Sequence, residues 1–259
     1  MKEMKKALFY TIVFAALQIT LGLITVAAWT LVTGQDGNKS IWCSILMMTI
    51  ASVATIAMFL MNKWAVVSPR WIRTRPWSVM LWSAVAALGL LIPSMWFQEQ
   101  MPELPNVAEE LFTGLISNPW GYVVIGLMAP LAEEIVFRGA VLRALLKWNE
   151  NHWVGIAVSA ALFALIHMNP AQMPHAFLIG LLLGWMYYRT GSIIPGMVYH
   201  WVNNSAAFAV GHILAGIHAN IEDLTLRDLF GANVWLAVVF SLLIVVPALY
   251  QLKIRLKRV

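Results

Sequence analysis

The sequence predicts an all-α fold: a polytopic bundle of about eight transmembrane helices, with a four-helix core made by the fourth to seventh spans. Three observations predict it. Apolar residues make up 61% of the 259 and charged residues 11%, against roughly 45–50% and about 25% in ordinary soluble domains, and the mean hydropathy is +0.75. Apolar stretches close to the ~20 residues that cross a bilayer recur along the whole chain. Positive charge collects on alternate loops between them.

The spans are expected at 7–32, 41–62, 77–97, 118–147, 153–168, 172–189, 192–216 and 232–252. The first has no small-residue cleavage site after a short apolar region, so it reads as an anchor and not as a removed signal. The second carries Cys43, the single cysteine, which leaves no intrachain disulfide and reads as a small apolar residue within a span. Between the third and fourth spans, Gln98 to Ser117 carries proline and glutamate. Val107, Leu111, Phe112 and Leu115 give it an apolar helical stripe suited to the membrane interface, with a plain surface loop as the alternative. The fifth and sixth spans are short, and the seventh contains Pro195. The chain therefore divides into 1–117 (three spans and an outer loop), 118–216 (the core spans) and 217–259 (a loop, the last span and a basic tail).

Charge sets the expected orientation. Lys2, Lys5 and Lys6 precede the first span, and Lys63, Arg70, Arg73 and Arg75 fill the second loop. Arg143 and Lys147 end the fourth span, Arg189 ends the sixth, and Lys253, Arg255, Lys257 and Arg258 close the chain. The other loops hold Lys39 and Arg227 but also Glu99, Glu103, Glu109, Glu110, Glu222, Asp223 and Asp228. Eight spans with both termini cytoplasmic satisfy the positive-inside rule at nearly every loop. The formal net charge of +5 reflects this topology, and its spread over several loops argues against a nucleic-acid partner. The location expected is a multi-pass integral membrane protein of a bacterial cell membrane.

Ionisable residues in spans mark function, because each charge at membrane depth costs about 2.5–3.5 kcal/mol on insertion scales. The fourth span contains three within six residues, Glu133, Glu134 and Arg138. Glu134 and Arg138 are i and i+4, share a helical face and are expected to pair. Glu133 is rotated by about 100° and points elsewhere, which leaves it the less compensated carboxylate. The competing reading is a purely stabilising charge triplet. The fifth span ends at His167, and the seventh holds His200 and Asn204 one turn apart. Helical rise places Glu133 and His167 both about 21 Å from the cytoplasmic helix ends, and Asn204 about 18 Å. Of the other histidines, His152 and His218 fall in expected loops and His175 and His212 near span ends, where interface roles suffice. Asn203 faces away from the His200/Asn204 stripe and reads as packing or as a partner behind it. The 13 Trp and 14 Met read as interface anchors and helix packing.

Glu133-Glu134-x-x-x-Arg138, Phe163-x-x-x-His167 and His200-x-x-x-Asn204, in this order on successive spans, resemble the CPBP family. These are the intramembrane proteases of CAAX-tail and bacteriocin processing, also called Abi. The resemblance covers roughly 118–208. It implies a peptidase in which Glu133 and His167 activate the attacking water. His200 and Asn204 stabilise the oxyanion, or His200 helps hold a metal, while Glu134 and Arg138 support the site. On residue chemistry alone, a desolvated carboxylate beside imidazole is a competent general base, and an amide beside a histidine makes an oxyanion hole.

The cofactor expected is none or one divalent metal, with zinc as the metal and Glu133, His167 and His200 as its candidate ligands. His-Glu-x-x-His is absent, and Glu133 is a poor choice as ligand and base together, which favours chemistry without metal. The partners expected are the lipid bilayer and a peptide or membrane-protein substrate. Two other functions compete: a non-catalytic bacteriocin-immunity or sensor-kinase scaffold on the same fold, and a transporter using buried Glu and His as a proton relay. The transporter reading lacks paired, Gly/Pro-broken spans in corresponding halves.

Overall fold

The computed structural model describes residues 1–68, 71, 73, 76–217 and 224–257. Arg70, Arg75, His218, Glu222, Asp223 and Arg258 lie outside the described residues. Those described form helices and connecting turns, with no strand among them.

The helices follow the apolar stretches. They are α1 (Lys2–Thr33), α2 (Ile41–Met61), α3 (Trp77–Glu99), a short α4 (Glu109–Ser117), α5 (121–148), α6 (His152–Leu165), α7 (Met173–Thr190), α8 (Ile194–Ile217), a single turn α9 (Leu226–Phe230) and α10 (Val234–Arg255). All eight expected spans are helical. Lys2–Thr33, Ile41–Met61, Trp77–Glu99 and the stretch Leu226–Arg255 are long and apolar enough to cross a membrane, so the chain is an integral membrane protein. The core helices are interrupted, short or polar because the polar groups of the bundle interior sit on them.

Local chemistry sets the ends. Ser40 caps α2 by accepting from the Cys43 N–H, and Asn151 caps α6 by accepting from the Trp153 N–H. Gly34 and Gly191 close α1 and α7 in the left-handed conformation, which glycine adopts at little cost. Arg189 at the foot of α7 donates to the Lys253 and Leu256 carbonyls. It thereby satisfies the end of α10, where the last carbonyls have no partner within the helix.

Two apolar cores flank the bundle centre. One joins α1, α2, α5, α6 and α7 through Phe14, Phe59, Phe137, Ile156 and Tyr187. The other joins α3, α7, α8 and α10 through Val79, Ala86, Leu183, Tyr199 and Leu252. Helices approach closely where side chains are small. Gly180 and Gly184, one turn apart on α7, face Ala160 and Ile156 on α6, and a Cβ added at either would lie 2.9 Å from its neighbour. This is the small-xxx-small contact by which membrane helices pack without a hydrophobic drive.

Two expectations change. The fifth span, expected at 153–168, is a helix of 14 residues, about 21 Å long. It ends at Leu165, and the chain turns back through 166–172. In the stretch 98–117, the expected helical stripe appears as α4 over Glu109–Ser117, and the stretch also packs inward. Its Leu115 is fully buried, and 105–107 folds over the inner turn. The Ala171 N–H donates to the Pro105 carbonyl, the Val107 N–H to Asn169 Oδ1, and Asn169 Nδ2 to Asn106 Oδ1. Irregular backbone at membrane depth needs such internal partners, and buried Asn169 supplies both ends of this clasp.

Candidate active site

α5 carries the ionisable cluster and is not a regular α-helix. Val123–Met128 and Glu134–Leu142 are π-helical, separated by the α-helical turn Ala129–Glu133. Pro130 has no N–H to give to the carbonyl four residues back, which lies in the first π segment. Carbonyls of both segments take donors from outside the helix: Ile125 O from Asn204, Phe137 O from Ser159 and Gly139 O from the Val66 N–H. π-bulges cluster at functional sites, and here the second begins at Glu134.

Glu134 and Arg138 form the expected pair, Nη1 to Oε1 at 2.8 Å, with both side chains sealed from solvent. Arg138 Nη2 donates to the Gly180 carbonyl at 3.4 Å. Its guanidinium carbon lies 4.6 Å from the centre of the Phe163 ring, a cation–π contact strengthened by desolvation. Phe163 ties the site together. It also meets Phe137, His167 and His200 edge-on, at ring separations of 5.1, 4.9 and 6.0 Å. Opposite, Gly196 on α8 leaves room for Glu134, since a Cβ there would lie 3.0 Å from Oε2.

His200, buried on α8, stands between the two glutamates. Its Nδ1 lies 3.1 Å from Glu134 Oε1, and its Nε2 lies 3.6 Å from Glu133 Oε2. This corrects the expectation that Glu133 points away from its neighbour's partners: one imidazole ring is long enough to reach both carboxylates. Glu134 is nonetheless the fixed carboxylate, with 0% side-chain exposure against 17% for Glu133.

His167 is not within a helix. It follows α6 in the turn whose next residue, Met168, has φ of 50°. Its Nδ1 is 2.7 Å from the Phe163 carbonyl. A carbonyl only accepts, so Nδ1 carries a proton, and in neutral imidazole Nε2 is then a free acceptor. His167 and Glu133 line one cavity of about 160 Å³, together with Phe14 and Gln18 of α1 and Met48 and Ser52 of α2. Asn204 Nδ2 donates to Ile125 O at 3.1 Å, and Asn203 Nδ2 donates to Asn204 Oδ1 at 3.2 Å. Asn203 thus fixes the Asn204 amide from behind, and one N–H of that amide is left over.

The candidate metal ligands do not group. Among the described residues no three His, Cys, Asp or Glu side chains are close enough to hold a metal ion. His200 Nδ1 faces Glu134 and His167 Nδ1 faces a carbonyl, which leaves the Nε2 atom of each ring as the one turned to other partners. Of the other described histidines, His152 and His212 lie apart from this cluster, whereas His175 is within electrostatic reach of His167 and His200. His152 stacks on Tyr188, and His212 approaches the Ile116 carbonyl at 2.7 Å. His175 lines a separate cavity of about 370 Å³ with Ser94, Phe112 and Asn203.

Residues 115–206, about a third of the chain, match the family described as Type II CAAX prenyl endopeptidase Rce1-like. The match agrees with the resemblance carried by the three motifs and contains Glu133, Glu134, Arg138, His167, His200 and Asn204. No curated protein and no solved structure matches the chain.

Proposed function

We propose that this integral membrane protein is an intramembrane endopeptidase that hydrolyses peptide bonds of a membrane-associated peptide or protein. The observation that carries the reading is the cavity of about 160 Å³ shared by Glu133 and His167, a carboxylate and an imidazole from different elements around a space with room for water. The water oxygen attacks the scissile carbonyl carbon while its proton passes to Glu133, with His167 Nε2 holding the water in line. The oxyanion is met by the second N–H of Asn204 and by His200. The protonated Glu133 then returns its proton to the leaving amine, giving an acid and an amine. Glu134 and Arg138 hold His200 and the helix in place. Preorganised donors of this kind are worth several kcal/mol in a dry site.

Comparing membrane proteomes of wild-type cells with those carrying Glu133→Ala tests the reading. One or more uncut precursors are expected to accumulate in the variant at unchanged protein abundance. An unchanged proteome would favour the immunity or sensor-scaffold reading, in which the same fold binds a peptide without cutting it.

We further propose that the water is activated without a metal, because His-Glu-x-x-His is absent and Glu133 serves poorly as ligand and base together. Active protein washed with chelator is expected to retain its activity and to hold no stoichiometric zinc. Zinc lost together with activity would overturn this. We also propose that both termini lie on the cytoplasmic side of the membrane, in keeping with the charge distribution.

A further inference from the structure

The head of α1 forms a cavity that the proposed chemistry does not use. It measures about 550 Å³ and is lined by Lys2, Lys5, Lys6, Phe9, Tyr10 and Trp64. Lys6 bonds Glu3 at 2.7 Å, whereas Lys2 and Lys5 are exposed and form no salt bridge among the described residues. Lys147, at the end of α5, and Lys2 also act on Glu3 at longer range, so three ammonium groups share one carboxylate. The opposite wall is aromatic: Trp64 meets Phe9, Tyr10 and Phe59 at ring separations of 5.5, 5.5 and 5.4 Å. Tyr and Trp favour the level where headgroups meet hydrocarbon. Below them, α1 presents Leu8, Ile12, Ile19 and Leu23 outward, 42, 65, 53 and 67% exposed.

We propose that this cavity binds the phosphate headgroup of an anionic phospholipid, whose acyl chains lie along the outward face of α1. The unpaired lysines supply the charge that a phosphodiester needs, and basic clusters beside a span recognise anionic headgroups. A free phosphate would meet the same lysines but would gain nothing from the apolar face that continues from the cavity. The site bears on the bundle centre, because α1 packs on α5 and contributes Phe14 and Gln18 to the Glu133/His167 cavity. It does not depend on the reaction proposed there.

The test is thermal unfolding of the full chain in neutral-detergent micelles. The micelles are doped with phosphatidylglycerol, or with phosphatidylcholine of the same acyl chains, or the buffer is supplemented with inorganic phosphate. Phosphatidylglycerol is expected to raise Tm, and the other two are not. The shift is expected to be lost in Lys2→Gln/Lys5→Gln, whose Tm without lipid stays at the wild-type value. It is expected to survive in Lys253→Gln/Lys257→Gln, which removes the same charge elsewhere. Equal shifts with both lipids, a shift with phosphate alone, or persistence in the first double variant would each overturn the proposal. So would equal loss in both double variants, which would reduce the effect to general attraction between charges.

Discussion

Glu133→Gln is expected to lower turnover by about 10²–10⁴-fold, the usual contribution of a general base, while unfolding stays close to wild type. Glutamine keeps the shape of glutamate but cannot take a proton from water. Little structure is at risk. Glu133 keeps partial exposure, and its polar contact with His200 Nε2 is long at 3.6 Å. His167→Ala should behave alike, because its Nε2 serves the same cavity. The measurement is cleavage of a precursor identified from the proteome comparison, with unfolding of the same preparations as control. If both variants cut at the wild-type rate, Glu133 is not the base.

Arg138→Leu is expected to show the reverse balance, losing about 3–5 kcal/mol of stability because it strands a buried charge. Glu134 is fully sealed, and its Oε1 is shared by Arg138 and His200. With the guanidinium gone, His200 would be the remaining group able to offset the carboxylate. The Phe163 ring and the Gly180 carbonyl would also lose their cationic partner. Glu134→Leu/Arg138→Leu should recover much of the loss, because it removes both charges together. Denaturant unfolding in micelles checks both values. A loss under about 1 kcal/mol for Arg138→Leu, the range of exposed pairs, would show that the pair is not a support. Together the two predictions separate the neighbouring glutamates: chemistry fails at Glu133, and folding fails through Glu134.

Much of the fold was legible because hydropathy is one-dimensional. Each expected span appears as a helix, with ends displaced by a few residues. The Glu134–Arg138 pair was legible too, since i,i+4 spacing places two side chains together whatever surrounds the helix. Contacts made in three dimensions were not. The spacing of Glu133 and Glu134 gives no sign that one imidazole from α8 meets both. An ideal helical period also does not describe π segments, and Pro130 within an apolar run was the only local hint of one. The inner turn at 166–172 was hidden because a 14-residue helix joined to apolar Ile166 and Met168 reads as one longer span. Its partner at 105–107 lies some sixty residues earlier in the chain. Gly180 and Gly184 did carry a readable signal, a small-xxx-small spacing that marks close helix contact in membranes.

The placement of Arg138 and Glu134 on one helix bears on how the protein is made. A charge entering the bilayer costs about 2.5–3.5 kcal/mol on insertion scales, and α8, which brings His200, is synthesised only after α5. Because acid and base sit one turn apart, α5 brings its own counter-ion, and the pair can enter as a neutral, hydrogen-bonded unit before its later neighbours exist. Glu133 has no such companion on its own helix. The residue most exposed to the burden of insertion is therefore the one proposed as the general base, and the pair beside it travels already balanced.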